Sequence, residues 1–558
     1  MKIAIAQLNY HIGNFVQNTS KIIECIDRSK IEGAELVVFS ELSVTGYYPH
    51  DLLERKEFIE QSLEALSQIA SHCKGIAAIV GGPSINPEPR GKKLFNSAFF
   101  MDDGAIRHVV NKSLLPTYDI FDEYRHFEPN KNFSVFEFHG KKIAITICED
   151  LWDEQETQNE FGREKLYQLS PIKELSALNP DLVINISASP FSYNQEDWRK
   201  NILVKNAQKY QLPILYVNQV GAQTELIFDG GSFFLNKKGK IQEELNYFKE
   251  DFRIIDTEVS SGNVQPKTTS TEKIYSALIL GIRDYFGKMG FKKATLGLSG
   301  GIDSALVLVL AVEALGKENV RVLLMPSRYS SDHSIEDALQ LAKNLDIQHE
   351  IIPIQPMVDS FEVGLSDVFA NLQTDITEEN IQARTRGILL MAISNKFGNI
   401  LLNTTNKSEC AVGYGTLYGD MNGGLSVLGD VYKTEIFKMA RWINRHREII
   451  PVNTIQKPPS AELRPDQKDS DSLPDYHILD QILFDYIELN LSPAEIIAKG
   501  FDESTVLKTV RMVNANEYKR FQAPPILRIS SKAFGFGRRM PLVAQYSGSL
   551  PTSRIPPK

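Results

Sequence analysis

Thr295-Leu296-Gly297-Leu298-Ser299-Gly300-Gly301-Ile302-Asp303-Ser304 reads as a small-residue turn between a short apolar strand and a long apolar helix. Glycines in such a turn let backbone amides approach an anion, and a helix starting near Ser304 points its positive end at the same spot. Ser299 and Ser304 can donate to phosphate oxygens, whereas Asp303 repels a bare phosphate and so points to a metal ion sharing the site. The turn therefore predicts a cradle for a pyrophosphate with a divalent cation. The bland alternative is a tight strand-to-helix connection. The stretch contains no G-x-x-x-x-G-K-[ST] and no G-x-G-x-x-G, so it is neither a Walker loop nor the dinucleotide fingerprint.

Around this turn, apolar strands alternate with helical patterns: Ala294–Leu298, a helix from Ser304, Val320–Met325, a helix from Ile335, His349–Ile354 and Ile400–Asn403. That order predicts a doubly wound parallel sheet with the turn at a strand's carboxyl end, where ligand sites fall. Ile274, Leu278, Ile282 and Tyr285 mark an amphipathic helix ahead of it. Two long segments, Gly413 to Asp430 and Ile455 to Pro474, are expected to be lids. Before the polar linker Val259–Pro266, strand candidates Ile3–Ala6, Leu36–Phe39, Ile76–Val80, Ala98–Met101, Ile143–Ile147, Leu182–Ile186 and Ile214–Val217 are separated by helical patterns. The first half is therefore a second α/β layered fold, and the turns at Asp102-Asp103-Gly104 and Lys237-Lys238-Gly239 predict some antiparallel pairing.

At 558 residues the chain requires two or more cores. Cys25, Cys73, Cys148 and Cys410 form no C-x-x-C pair, which fits a cytoplasmic protein and argues against zinc clusters and disulfides. No apolar run reaches the ~20 residues that span a bilayer, and Met1-Lys2-Ile3-Ala4 leads into a strand rather than a signal peptide. A formal charge of -9 offers no general attraction for nucleic acid or anionic membrane. Partners are expected to be small molecules held by local donors.

Cys148 ends one apolar strand, Glu41 follows another, and Lys112 closes a third. An acid, a cation and a thiol at three strand ends can converge at the rim of a sheet. Glu41 can then take the thiol proton, while Lys112 lowers the thiol pKa and stabilises an oxyanion. Singly, each residue reads as core cysteine or surface charge.

Two resemblances follow from these words. Ser299-Gly300-Gly301-Ile302-Asp303-Ser304 resembles the loop of the N-type ATP pyrophosphatases, which split ATP between the α and β phosphates to adenylylate an oxygen. Phe39-Ser40-Glu41-Leu42 with Gly46-Tyr47, Asn111-Lys112 with Leu114-Leu115-Pro116, and Ile147-Cys148-Glu149-Asp150 resemble the nitrilase (carbon–nitrogen hydrolase) superfamily. That resemblance implies an αββα sandwich, amide hydrolysis through a thioester, and Glu123 as the second acid beside the lysine. The fusion resembles the glutamine-dependent NAD synthetase family over nearly the whole chain. It implies a glutaminase domain over 1–255, a linker over 256–272, and a synthetase domain over 273–558 with an adenine nucleotide alpha hydrolase-like sheet. Thr377–Arg386, Asn403–Glu409, Tyr418-Gly419-Asp420, Lys433-Thr434-Glu435 and Pro459–Leu463 follow in family order.

By this resemblance ATP adenylylates the nicotinate carboxylate of deamido-NAD+, and ammonia from glutamine displaces AMP to give NAD+. The loop Gly297, Leu298, Ser299, Gly300, Gly301, Ile302, Asp303 and Ser304, with Thr404, would bind ATP; Asn380, Glu409, Asp420 and Lys532 would bind deamido-NAD+; Asp303 and Glu409 would hold Mg2+. Tyr118, Glu149, Ser189 and Gln195 would bind glutamine. Family members often carry a lysine in the loop after Ser189, where this chain reads Phe191-Ser192-Tyr193-Asn194-Gln195, so Arg199 becomes the substitute cation for the glutamine carboxylate. A homo-oligomer is also implied. The competing readings are a tRNA thiolase, disfavoured by the missing cysteine pair and acidic charge, a GMP-synthetase-like enzyme, disfavoured by the lack of a histidine beside Cys148, and a non-catalytic nucleotide sensor.

Overall fold

The computed structural model describes residues 1–153, 166–193, 196–259, 262–370 and 372–544. The chain falls into two compact units, Met1–Thr268 and Thr269–Lys558.

The first unit contains two six-stranded sheets. In one, the order is Asp251–Asp256, Lys2–Gln7, Leu36–Val38, Ala77–Ile85, Leu94–Asp102, Ala105–Asn111; in the other it is Ile241–Glu244, Phe233–Leu235, Ile214–Asn218, Leu182–Ser187, Lys141–Ile147, Phe136–Phe138. Strand alternation sends Ile3, Ile5, Val38 and Ile79 of the first sheet against Ile145, Ile147, Ile184 and Val217 of the second. Their neighbours face outward. Ala4, Val37 and Val80 pack on Ile22, Ile26, Leu66 and Ile69 of the helices Phe15–Ile31 and Lys56–His72. Ala144, Val183 and Ile214 pack on Ile172, Leu175 and Leu203 of two further helices. Each sheet is therefore apolar on both faces, and the result is an αββα sandwich.

The anticipated antiparallel turns occur. Asp103 and Gly104 both take positive φ (48° and 75°) between Leu94–Asp102 and Ala105–Asn111, the left-handed pair that a two-residue hairpin demands. Because Leu94–Asp102 runs back, Ala105–Asn111 again points the same way as Leu36–Val38. Lys112 and Glu41 thus emerge at one rim. The described part of the stretch after Val259 is bound rather than free: Glu244 N donates to Asn263 O at 2.9 Å and Asn263 Nδ2 to Glu243 Oε1 at 3.0 Å.

The second unit opens with the helix Ser270–Met289, started by a Thr269/Glu272 capping box and stopped at left-handed Gly290. Its sheet is wholly parallel in the order Gln348–Ile351, Val320–Leu324, Ala294–Gly297, Ile400–Asn403, Leu425–Ser426. Strand order reverses between Ala294–Gly297 and Ile400–Asn403, and the loop after Gly297 opens into that switch point. The following helix is Ile302–Leu315, two residues earlier than expected.

The expectation of a lid over Gly413 to Asp430 is corrected in its second half. Leu425–Ser426 pairs with Leu402–Asn403, and Leu425, Val427 and Leu428 are fully buried. A glycine-rich composition hid a short edge strand, whose burial makes it part of the core. No helix among the described residues is long and apolar enough to cross a membrane.

Candidate functional sites

At the rim of the first unit, Lys112 is completely buried and its Nζ donates to Glu41 Oε1 at 2.7 Å and Glu123 Oε1 at 2.8 Å. Burial pulls this ammonium down, but Glu123 and Glu41 outweigh it and hold its pKa well above the usual lysine value. Asn96 Nδ2 donates to Glu41 Oε1 (2.7 Å) and Glu123 Oε2 (3.4 Å), Tyr47 Oη donates to Glu123 Oε1 (2.7 Å), and Ala188 N donates to Glu41 Oε2 (2.9 Å). Both carboxylates are thereby fixed in orientation. Gly81 makes this geometry possible, since a Cβ there would lie 2.4 Å from Leu42 N and 2.5 Å from Ser40 O. Asn96 and Gly81 escaped the sequence reading because they lie inside strands, and Tyr47 stood there as part of a motif without its Glu123 contact.

Cys148 sits where the strand Lys141–Ile147 turns, with φ of 43°, a conformation uncommon for a residue with a Cβ. Asp150 stitches the turn to the Lys112 segment by accepting from Ser113 N (2.9 Å), Leu114 N (2.8 Å) and Ile147 N (3.0 Å). Lys112 does pull the Cys148 thiol down, as expected, but it does not decide the balance. Burial first and the Glu41 charge second push the Cys148 thiol up, outweighing the downward pull of Lys112. Lys112 lies between two carboxylates, so its charge is largely spent. The resting group is the neutral thiol, and its activation needs a base.

Glu149 is 3% exposed and accepts from Tyr118 Oη and Tyr167 Oη, each at 2.8 Å. Burial raises its pKa to about 7 against the two phenol donors. Tyr118 and Glu149 are thus joined, and Tyr167 is an addition. Ser189 follows the strand Leu182–Ser187, with its N–H on Asn218 Oδ1 at 2.9 Å. Gln195 lies outside the described residues. Arg199 does not fit its assigned role: it is 3% exposed and its guanidinium is bidentate on Asp229 at 2.9 and 2.8 Å. Its charge is thus already matched in the interior, and its one unpartnered donor, Nε, is itself buried, which leaves little for a second carboxylate.

In the second unit a cavity of about 260 Å³ opens beside the loop, lined among others by Gly297, Leu298, Ser299, Ser304, Thr404 and Asp420. Gly300 (φ 80°) could carry no side chain, since a Cβ would fall 2.1 Å from Ser334 O. Ser299 Oγ and Ser304 Oγ lie 3.1 Å apart, and Gly301 N donates to Ser299 Oγ at 3.2 Å. Arg386 brings a cation to the same cavity and Glu462 an acid held by Ser331 and Ser334. Ser460 to Leu463 line it too, so the segment after Ile455 does lie along the cavity. Burial lowers the Arg386 pKa to about 10.

Gly300, Gly301, Ile302, Asp303, Asn380, Glu409 and Lys532 are not among the residues lining that cavity. Asp303 and Glu409 meet instead at Lys433, whose Nζ is 2.6 Å from Asp303 Oδ2 and 3.2 Å from Glu409 Oε1. Asn406 Nδ2 also donates to Asp303, at 2.9 Å. Two carboxylates converging on one cation form a hard-oxygen set of the kind that suits magnesium, with substrate phosphates as further ligands. The residues fit that ion. Asn380 and Asp420 are brought together by Thr416, whose Oγ1 donates to Asn380 Oδ1 (2.7 Å) and whose N donates to Asp420 Oδ1 (2.6 Å). Lys532 is placed by another device: fully buried Lys407 donates to its carbonyl at 2.9 Å while ion-paired to Asp430 (2.9 Å) and Glu488 (2.8 Å).

Comparison with known proteins agrees with this two-part arrangement. The carbon–nitrogen hydrolase family model matches residues 2–269 and the NAD synthase model residues 274–523. Proteins named glutamine-dependent NAD(+) synthetase are similar over almost the full length. The one from Synechocystis sp. is 47% identical over 98% of this chain and 99% of its own, and that from Acinetobacter baylyi is 43% identical over 97% and 98%. The solved structure of the Acinetobacter baumannii glutamine-dependent NAD+ synthetase in complex with ADP matches with a TM-score of 0.77 at 42% identity, covering 97% of this chain and 98% of that one. With both halves present in order and matched end to end at such identities, the chain belongs to the glutamine-dependent NAD+ synthetase family.

Proposed function

We propose that the first unit releases ammonia from L-glutamine at Cys148 and that the second uses it to amidate adenylylated deamido-NAD+, giving NAD+, AMP, pyrophosphate and glutamate. The observation that carries this reading is the buried Glu41–Lys112–Glu123 arrangement at the nucleophile's rim. A thiol whose pKa is raised by burial needs a base at hand, and Glu41 is the carboxylate whose charge it feels most. Glu41 takes the thiol proton as Sγ attacks the glutamine carboxamide, then returns it to the departing ammonia. Lys112, held by Glu123 as well as Glu41, donates to the tetrahedral oxyanion. Water then cleaves the thioester. Tyr118, Glu149 and Ser189 bind glutamine, with Glu149 facing its α-ammonium.

In the second unit, the loop Gly297–Ser304 with Thr404 binds ATP, and Asn380, Glu409, Asp420 and Lys532 bind deamido-NAD+. Asp303 and Glu409 would hold Mg2+, which supplies positive charge against the leaving pyrophosphate. The loop amides and serine hydroxyls orient the phosphates, and a neutral amine attacks the adenylylated carboxyl. The reading also takes the protein to be a cytoplasmic homo-oligomer, which light scattering on the purified chain tests.

The deciding experiment measures NAD+ from deamido-NAD+, ATP and Mg2+ with either glutamine or ammonia as donor. Cys148→Ala is expected to abolish glutamine-supported synthesis and keep ammonia-supported synthesis. Asp303→Ala is expected to lose both. Loss of both donors in a folded Cys148→Ala protein would contradict two separate sites.

A further inference from the structure

We propose that Asp51, Glu54 and His126 form a binding site for a borderline divalent transition ion of the zinc class, separate from the two sites above. Asp51 and Glu54 stand three apart on the short turn His50–Glu54 and are exposed, while His126 is 8% exposed. One ligand atom from each lies within 4.8 Å of the others. His126 Nε2 is 3.6 Å from both Asp51 Oδ1 and Glu54 Oε1, and it is buried with no hydrogen-bond partner. Zinc-class ions bind nitrogen and carboxylate oxygen at about 2.0–2.2 Å, so two tetrahedral ligands stand about 3.4 Å apart. The observed separations are close to that.

The ring's surroundings set which nitrogen carries the proton. Tyr48 Oη has a single hydrogen and two acceptors in reach, the Asp122 carbonyl at 3.3 Å and His126 Nδ1 at 2.7 Å. Giving that hydrogen to Nδ1 would leave an Nε2–H aimed at two carboxylates beyond hydrogen-bond length, an unpaired buried donor. Giving it to the carbonyl makes Nδ1–H the donor to Tyr48, and Nε2 keeps its lone pair. A neutral lone pair facing two carboxylate oxygens is repelled unless a cation lies between them. The Nδ1 partner then orients the ligand, as outer partners of metal-bound histidines do. One nitrogen with two oxygens suits zinc or cobalt better than magnesium.

Arg125 meets the same two oxygens from the solvent side, at 3.0 Å from Asp51 and 3.6 Å from Glu54, and is half-exposed. It competes with the ion and must swing out on binding. His126 N donates to Glu123 O at 3.1 Å, so a bound ion braces the turn that carries Glu123.

Titration of the full-length protein with Co2+ in excess Mg2+ tests the site, read by equilibrium dialysis and visible absorption. The expected result is one Co2+ per chain with d–d bands and no thiolate charge-transfer band. His126→Gln and Glu54→Gln should each weaken retention about tenfold or more, and Arg125→Gln should tighten it. Glu54 and Arg125 are surface residues, so those two variants keep the test valid if His126→Gln fails to fold. Three outcomes would overturn the proposal: no stoichiometric Co2+, retention insensitive to Glu54→Gln, or a thiolate signature.

Discussion

Single residues in this chain act through charges placed where water cannot screen them. Glu149 illustrates the cost. Its pKa rises from an ordinary 4.5 to about 7 because burial penalises the carboxylate. The folded state thus binds a proton more tightly than the unfolded state. The stability this confers is full below about pH 4.5 and is lost as pH rises through about 7. Glu149→Gln, which cannot ionise, is expected to be more stable than the wild type at pH 8, by up to about 3 kcal/mol, and no more stable below about pH 4, as urea unfolding at the two pH values would show. The same variant should raise the glutamine KM and leave ammonia-supported synthesis unchanged. Arg199 makes the opposite point. Its side chain reads as an available cation in the sequence, yet Asp229 lies 30 residues away and removes that availability.

Strands, helices and turns place these residues, and two glycines decide how closely. Gly81 lets the backbone at Ser40–Leu42 pass within van der Waals reach of its neighbouring strand. Gly81→Ala should force that turn aside, at about 1–3 kcal/mol, and lower glutamine-supported kcat more than ammonia-supported kcat. Gly300→Ala should instead reduce synthesis from both donors alike, because its Cβ would collide with Ser334 O. The helix at Lys407 carries a heavier load. With both acids fully buried, Lys407→Met would leave Asp430 and Glu488 unpaired, an expected loss of about 3–5 kcal/mol. Chemical denaturation reads that loss, and release of the Lys532 segment should appear as a higher deamido-NAD+ KM.

On the scale of the whole molecule, each unit has its own sheets and its own buried core. The segment Thr269–Lys558 expressed alone is therefore expected to fold and to make NAD+ from ammonia but not from glutamine. A fragment that precipitates or is inactive with ammonia would show that its fold depends on the first unit. Much of this organisation was legible in the sequence because it follows from local pattern. Strand runs such as Ile143–Ile147, the hairpin at Asp103-Gly104 and the turn at Ser299–Ser304 depend on neighbours in the chain. Those patterns determined the two α/β folds and the order of elements, and they put Glu41, Lys112 and Cys148 at strand ends. What tertiary structure alone decided is pairing between distant residues. Asn96 on Glu41, Tyr47 on Glu123, Lys433 between Asp303 and Glu409, and Asp229 on Arg199 are contacts across 24 to 130 residues. No local period encodes such contacts, because a buried charge selects its partner by burial and geometry, and both exist only once the sheets have packed.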